Sequence, residues 1–177
     1  FAVFCHHKAP HRTWDPAAEH FTMYDDVEIP FPDTFRDDLR GRAEVIQAVR
    51  MRMMDLDPII DLKATVPPGL TRDQEIDWRY QRYIKHYLRC VASIDDNVGR
   101  LLKYLDTNDL TENTIVVYTS DQGFFLGDHG WFDKRLMYEE SLQMPMLVRY
   151  PAAVAPASTN DDMIVNVDVA QTVLDLC

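Results

Sequence analysis

The sequence predicts an α/β domain, a mainly parallel sheet flanked by helices. Residues 1–5 (FAVFC) and 115–118 (IVVY) are apolar runs without alternation, the pattern of strands covered on both faces. Between them lies the strongest helical periodicity in the chain. Strand, long helix and strand make a crossover unit, so the two strands are expected to run parallel with a right-handed connection.

The long helix is expected over residues 71–107. Thr71 and Gln74 form a candidate capping box at its start. Tyr80, Tyr83, Ile84, Tyr87, Leu88, Val91, Ile94, Val98, Leu101, Leu102 and Leu105 then recur at the three-to-four spacing of one helix face. Its aromatic residues, Trp78 included, read as core rather than as a stacking platform. Asp95 and Asp96 are expected to face water, and His20 and His86 to be structural or surface residues. A third strand is expected at 146–148, between Pro145 and Pro151, and Glu139 and Glu140 read as a helix start or an exposed turn. A last helix begins near Val167, and residues 151–162 (PAAVAPASTNDD) read as a linker.

Residues 8–70 are different. Seven prolines punctuate mixed charge, and only residues 43–54, with Val45, Ile46, Val49 and Met53, keep helical spacing. Long irregular segments in compact domains often form lids or binding walls, so this one is expected on the substrate side.

A chain of 177 residues with 46% hydrophobic content has the size and composition of one domain with its own core. A formal charge of −11 argues against nucleic acid or an anionic membrane surface as partner, because both reward clustered Lys and Arg. No apolar run approaches the roughly 18 residues of a membrane span, and no signal peptide is visible. Cys5, Cys90 and Cys177 are too few and too scattered for a disulfide framework. Because the chain opens inside an apolar run and stops inside an amphipathic pattern, it is expected to be a piece of a longer protein.

Ligands of open α/β sheets collect at the carboxyl ends of the strands. Two polar clusters sit there. CHHKAPH leaves the first strand with His6, His7, Lys8 and His11, and SDQG leaves the second with Asp121 and Gln122. A carboxylate and an amide carbonyl are hard donors that suit calcium or magnesium, although two oxygens fall short of the roughly six to eight that calcium takes. Lys8, His11, His129 and Lys134 add cations and proton donors, a set suited to a tetrahedral oxyanion. Plainer readings stand beside these: Asp-Gln-Gly after a strand is also an ordinary turn, Lys134 alone a solvated lysine, and one of His6 and His7 a packed side chain.

The combination resembles the sulfatase family of the alkaline phosphatase superfamily. The resemblance rests on HKAPHRTW at 7–14, TSDQGFFLGDHGWFDK at 119–134 and YEESLQMPMLVRYP at 138–151, with a weaker likeness in VDVAQTVLDL at 167–176. It implies an alkaline phosphatase-like fold whose N-terminal half is missing, with residues 1–177 as part of a catalytic domain and residues 115–150 as its metal- and sulfate-binding region. It further implies that Asp121 and Gln122 are two ligands of one Ca2+ and that His11 contacts the sulfate and protonates the leaving oxygen. Lys134 would bind the sulfate or ester oxygen, His129 would line the pocket, and Lys8 would lie nearby as a further substrate-binding residue.

Two departures matter. Many members carry Asp-Asn or Asp-His where this chain has Asp121-Gln122. The family's nucleophile motif, Cys or Ser followed by x-Pro-x-Arg, occurs nowhere in the chain. The formylglycine made from that Cys or Ser is therefore expected in the missing N-terminal portion, and the fragment alone is expected to be inactive. The implied substrate is a sulfated carbohydrate, and the implied location is periplasmic or secreted. The alternatives are a phosphodiesterase or phosphonate monoester hydrolase of the same superfamily, and a non-catalytic sugar-binding relative.

Overall fold

The structure, a computed structural model, describes residues 1–177. It is organised around one helix. Four helices, α1 (Glu44–Gln47), α2 (Arg72–Thr107), α3 (Glu139–Leu142) and α4 (Asn166–Leu176), accompany four strands, β1 (Val116–Thr119), β2 (Phe125–Leu126), β3 (Phe132–Asp133) and β4 (Met146–Arg149).

Helix α2 runs for 36 residues, about 54 Å at the usual rise. Its expected capping box is present: the Gln74 N–H donates to the Thr71 hydroxyl at 3.3 Å, and the Thr71 N–H donates to the Gln74 side-chain oxygen at 2.9 Å. Asp73 and Glu75 in the first turn complement the positive end of the helix dipole. Tyr80, Tyr83, Ile84 and Ile94 of the predicted face are buried together with Cys90, whereas Val91 and Leu101 of that face are exposed. Asp95 and Asp96 are exposed, as expected.

The irregular segment before α2 does more than wall a site. Trp14, Phe35, Met53, Leu56 and Leu62 join Tyr80, Tyr83, Ile84, Cys90 and Phe132 in the main core. With no sheet to pair its backbone, the segment takes hydrogen bonds from side chains of α2. Arg79 donates to the Leu56 carbonyl at 2.6 Å, Arg82 to that of Leu62 at 2.9 Å and Arg89 to that of Met23 at 2.7 Å. Tyr80 donates to the Pro30 carbonyl at 2.8 Å, and Gln81 clamps both backbone groups of Ile29. Arginines that periodicity alone would assign to a solvated face thus hold the loop against the helix. Within 43–54 the expected helix is shorter, four residues of α1 followed by a 3-10 turn at Met53–Asp55.

The strands differ from expectation in their partners. Strand β1 pairs antiparallel with β4, Val116 opposite Arg149 and Thr119 opposite Met146. Residues 1–5 form no strand, and Phe1, Val3 and Phe4 stand fully or largely in solvent. No parallel pair forms, so the crossover between residues 1–5 and β1 is corrected here. The physical reason is that a strand apolar on both faces gains nothing from extension unless neighbours bond its edges and cover its faces, and the β1–β4 ladder supplies neither for residues 1–5.

Strands β2 and β3 make a second antiparallel pair, Phe125 opposite Asp133 and Leu126 opposite Phe132. The loop between them packs hard against α2. Gly127 has φ of 111°, and a Cβ there would stand 2.5 Å from the Tyr80 ring, so both backbone angle and space call for glycine. Tyr83 anchors the same hairpin by donating to the Phe125 carbonyl at 2.8 Å. Helix α4 forms near the expected start but buries no residue.

Candidate active site

His11 lies in a tight turn that follows residues 1–7. Its N–H donates to the Lys8 carbonyl at 2.9 Å, and the next anchor, Trp14, is 1% exposed and set edge-on to Tyr83. The imidazole Nδ1 is 2.8 Å from the Arg12 carbonyl. A carbonyl only accepts, so Nδ1 carries the proton and Nε2 is the nitrogen left to exchange one with a ligand.

Lys134 arrives from the other side of the molecule, immediately after β3. Phe132 fixes that strand by burying its ring in the core and donating its N–H to the Met51 carbonyl at 2.8 Å. Together with the aromatic floor of Trp14, Phe124 and Phe132, His11 and Lys134 line a cavity of about 60 Å³. The Lys134 ammonium sits 5.6 Å from the Phe124 ring centre.

The cations of this cavity are not equivalent. Arg12 is bound through two nitrogens to the carboxylate of Asp61, which is completely buried and also accepts from the Asp57 N–H at 2.8 Å. The hydrogen bond to Asp61 raises the Arg12 pKa above its ordinary value. Arg135 pairs with Asp133 at 3.0 Å. Lys134 pairs with no carboxylate. It is the cation of the cavity whose charge remains for a ligand.

Asp121 and Gln122 occupy the turn that ends β1. Strand β1 stops there because the Gly123 N–H donates to the Ser141 carbonyl at 2.9 Å, pulling the chain onto α3. A Cβ at Gly123 would come within 2.2 Å of the Glu140 carbonyl oxygen, so this approach is open only to glycine. The Asp121 carboxylate is exposed, with a single long contact of 3.4 Å from the Ser120 hydroxyl, and its backbone carbonyl accepts from Asn166 at 2.7 Å. Both side chains therefore keep oxygens free for a cation. Neither lines the cavity; Phe124, two residues beyond Gln122, does.

Lys8 is exposed and outside the cavity. His129 is buried elsewhere: its Nδ1 lies 2.7 Å from Asp37 and its Nε2 3.9 Å from Glu140, in a separate depression beside Phe35 and Arg36. The Asp37 carboxyl is held below its usual range, first by the Leu39 N–H and then by His129 and Arg42. The structure thus unites His11 with Lys134, carries the Asp121 turn into Phe124, and sets His129 and Lys8 apart from them. His20 bonds Asp96 at 2.7 Å, and His86 is buried with neither ring nitrogen bonded. Sequence reasoning missed Arg12, Phe124 and Asp133. The available signal was adjacency, since each neighbours a residue that had been singled out or lies two positions from one.

The family described as N-sulphoglucosamine sulphohydrolase, C-terminal, matches residues 127–177. An N-acetylglucosamine-6-O-sulfatase of Bacteroides thetaiotaomicron is 37% identical, the match covering 99% of this chain and 38% of that protein. A solved structure in complex with its substrate D-glucosamine-2-N,6-O-disulfate superposes with a TM-score of 0.89 at 37% identity, over 94% of this chain and 42% of the other. The chain belongs to the sulfatase family. An arylsulfatase of Clostridium perfringens is 28% identical over 94% of this chain and 31% of its own length. A phosphonate monoester hydrolase from Silicibacter pomeroyi shares the fold at 23% identity and a TM-score of 0.64. The fold class is accordingly the α/β fold of the alkaline phosphatase superfamily, and this sulfatase segment spans well under half of the relatives it matches. No helix in it is long and apolar enough to cross a membrane.

Proposed function

We propose that the protein containing this chain hydrolyses sulfate esters of a sulfated glucosamine-type saccharide, with the 6-O-sulfate as the group removed. The observation that carries the proposal is the meeting of His11 with Lys134 in one cavity whose two arginines are already neutralised. The singly charged sulfate group of an ester entering there meets one free ammonium and one imidazole Nε2, held beside an aromatic floor. Lys134 binds the anion. His11, fixed through its Nδ1–H, enters the step as the imidazolium and gives its Nε2 proton to the ester oxygen as the O–S bond breaks, which leaves the neutral Nδ1–H ring. The named activities of the relatives, on N-acetylglucosamine 6-sulfate and glucosamine disulfate, support the substrate class.

Asp121 and Gln122 are the residues that would hold a divalent metal. The fit rests on donor chemistry: an exposed carboxylate and an amide oxygen, neither engaged by a strong protein partner, match a hard ion such as Ca2+. Bound there, the ion would stabilise charge on the sulfate and the attacking oxygen. The remaining ligands and the formylglycine nucleophile belong to residues outside this chain, so the isolated chain is inactive on this reading. Lys8, exposed outside the cavity, attracts the anion only at long range. His129 acts at a distance by holding the GDHG loop in place. A periplasmic or secreted location follows from the family likeness.

The test is sulfate release from 6-O-sulfated N-acetylglucosamine by the full-length protein, run beside a phosphonate monoester and with metal content measured. Sulfate release with one calcium per chain is the expected result. Phosphonate turnover with two tightly bound zinc or manganese ions and no sulfate release would move the protein to the phosphoryl-transfer branch. Saccharide binding without turnover of either would make it a sugar-binding relative.

A further inference from the structure

The depression that receives His129 holds a second concentration of positive charge. It has a volume of about 190 Å³, and Arg36, Arg52 and Arg72 converge on it together with Phe35, Met53 and Ile76. Three guanidiniums in one depression are notable in a chain of net charge −11. Their partners separate them. Arg36 is bound by Asp77 and lies 5.1 Å from the Phe35 ring centre. The Arg52 guanidinium makes one hydrogen bond, to the Gln47 carbonyl at 3.0 Å, and no ion pair, while its backbone N–H donates to Asp55 at 2.9 Å. The Arg72 guanidinium makes no hydrogen bond or ion pair. The acid within the depression, Asp37, is already claimed by Arg42, His129 and the Leu39 N–H.

Two uncompensated guanidiniums therefore face a depression with an apolar wall. Guanidinium forks match the geometry of sulfate and carboxylate, and the half-buried Ile76 adds apolar surface to the wall.

We infer that this depression is an accessory anion subsite, in which Arg52 and Arg72 take a sulfate or carboxylate carried on a sugar residue of an acidic saccharide. It is distinct from the His11–Lys134 cavity and shares no lining residue with it. Its function is recognition of charge on the saccharide rather than bond cleavage.

The test uses the full-length protein and calorimetric titration with a heparin-derived disaccharide carrying sulfate and carboxylate, with an uncharged N-acetylated disaccharide and inorganic sulfate in parallel. The double variant R52Q/R72Q is expected to bind the heparin disaccharide about tenfold or more weakly. The same loss is expected in a Lys134→Ala background, and binding should weaken as ionic strength rises. Inorganic sulfate is expected to compete, and the uncharged disaccharide is not. Aryl sulfate turnover by R52Q/R72Q should equal that of the unsubstituted protein. Unchanged disaccharide affinity in a double variant that melts at the normal temperature would overturn the inference. Because binding is read directly, a protein that released no sulfate at all would count against the proposed hydrolysis and leave this measurement intact.

Discussion

Lys134→Ala in the full-length protein isolates the central claim. The cavity holds three cations, and two of them are committed: Arg12 to buried Asp61 and Arg135 to Asp133. Removing Lys134 deletes the uncommitted charge without orphaning an acid. A charge-assisted hydrogen bond to a bound anion contributes about 1.5–3 kcal/mol, which corresponds to roughly 10- to 150-fold in kcat/KM for an aryl sulfate. Stability should barely change, because the folded chain loses one cation–π contact of about 0.5–1 kcal/mol. Arg12→Ala provides the contrast. It strands the Asp61 carboxylate in the core and should cost roughly 3–5 kcal/mol of folding free energy. The assay is steady-state hydrolysis paired with a urea midpoint for each variant. Kinetics of Lys134→Ala that match the parent would refute the assignment, as would a loss of activity that merely tracks a lowered midpoint.

Three further outcomes follow from the packing. Burial, aided by Arg82 and Arg89, lowers the His86 pKa to about 4, and neither ring nitrogen has a partner. Below pH 6.5 the unfolded chain gains a proton that the folded chain refuses until about pH 4, so stability present above 6.5 falls across that window by up to roughly 3 kcal/mol. His86→Leu should flatten that part of the stability–pH curve, and an unaltered slope would exclude His86 as the source. Gly123→Ala would drive a methyl into the Glu140 and Gln143 carbonyl oxygens, 2.2 and 2.3 Å away, so a loss of about 1–3 kcal/mol and faster amide exchange at residue 123 are expected. Tyr83→Phe removes the 2.8 Å bond to the buried Phe125 carbonyl and should lower the urea midpoint by the equivalent of about 1–3 kcal/mol, measured at unchanged slope.

What could be read from the sequence was whatever depends on neighbours along the chain. Helix α2 was legible because its capping box and apolar stripe are local patterns that repeat over many turns. Its aromatic residues were placed correctly in the core for the same reason: Tyr80 and Tyr83 sit on the stripe that the period defines. The strands were harder. An apolar run announces burial without naming a partner, so residues 115–118 and 146–148 were seen as strands, while their antiparallel pairing and the exposure of residues 1–5 were not. The 8–70 segment looked like a lid because its hydrophobic residues have no period; they reach the core one at a time, Leu56 and Leu62 with their carbonyls held by Arg79 and Arg82 of α2.

For the candidate site, the sequence by itself determined which chemical groups are available: an acid and an amide after a strand, and histidines and lysines in two glycine- and proline-marked loops. Tertiary structure decided which of them meet and which keep their charge. His11 joined Lys134, His129 turned to Asp37, and Arg12 was spent on Asp61. The reason is that ionic and hydrogen-bond pairing is settled by distances of a few ångströms between residues far apart in the chain, and local pattern carries no record of those distances.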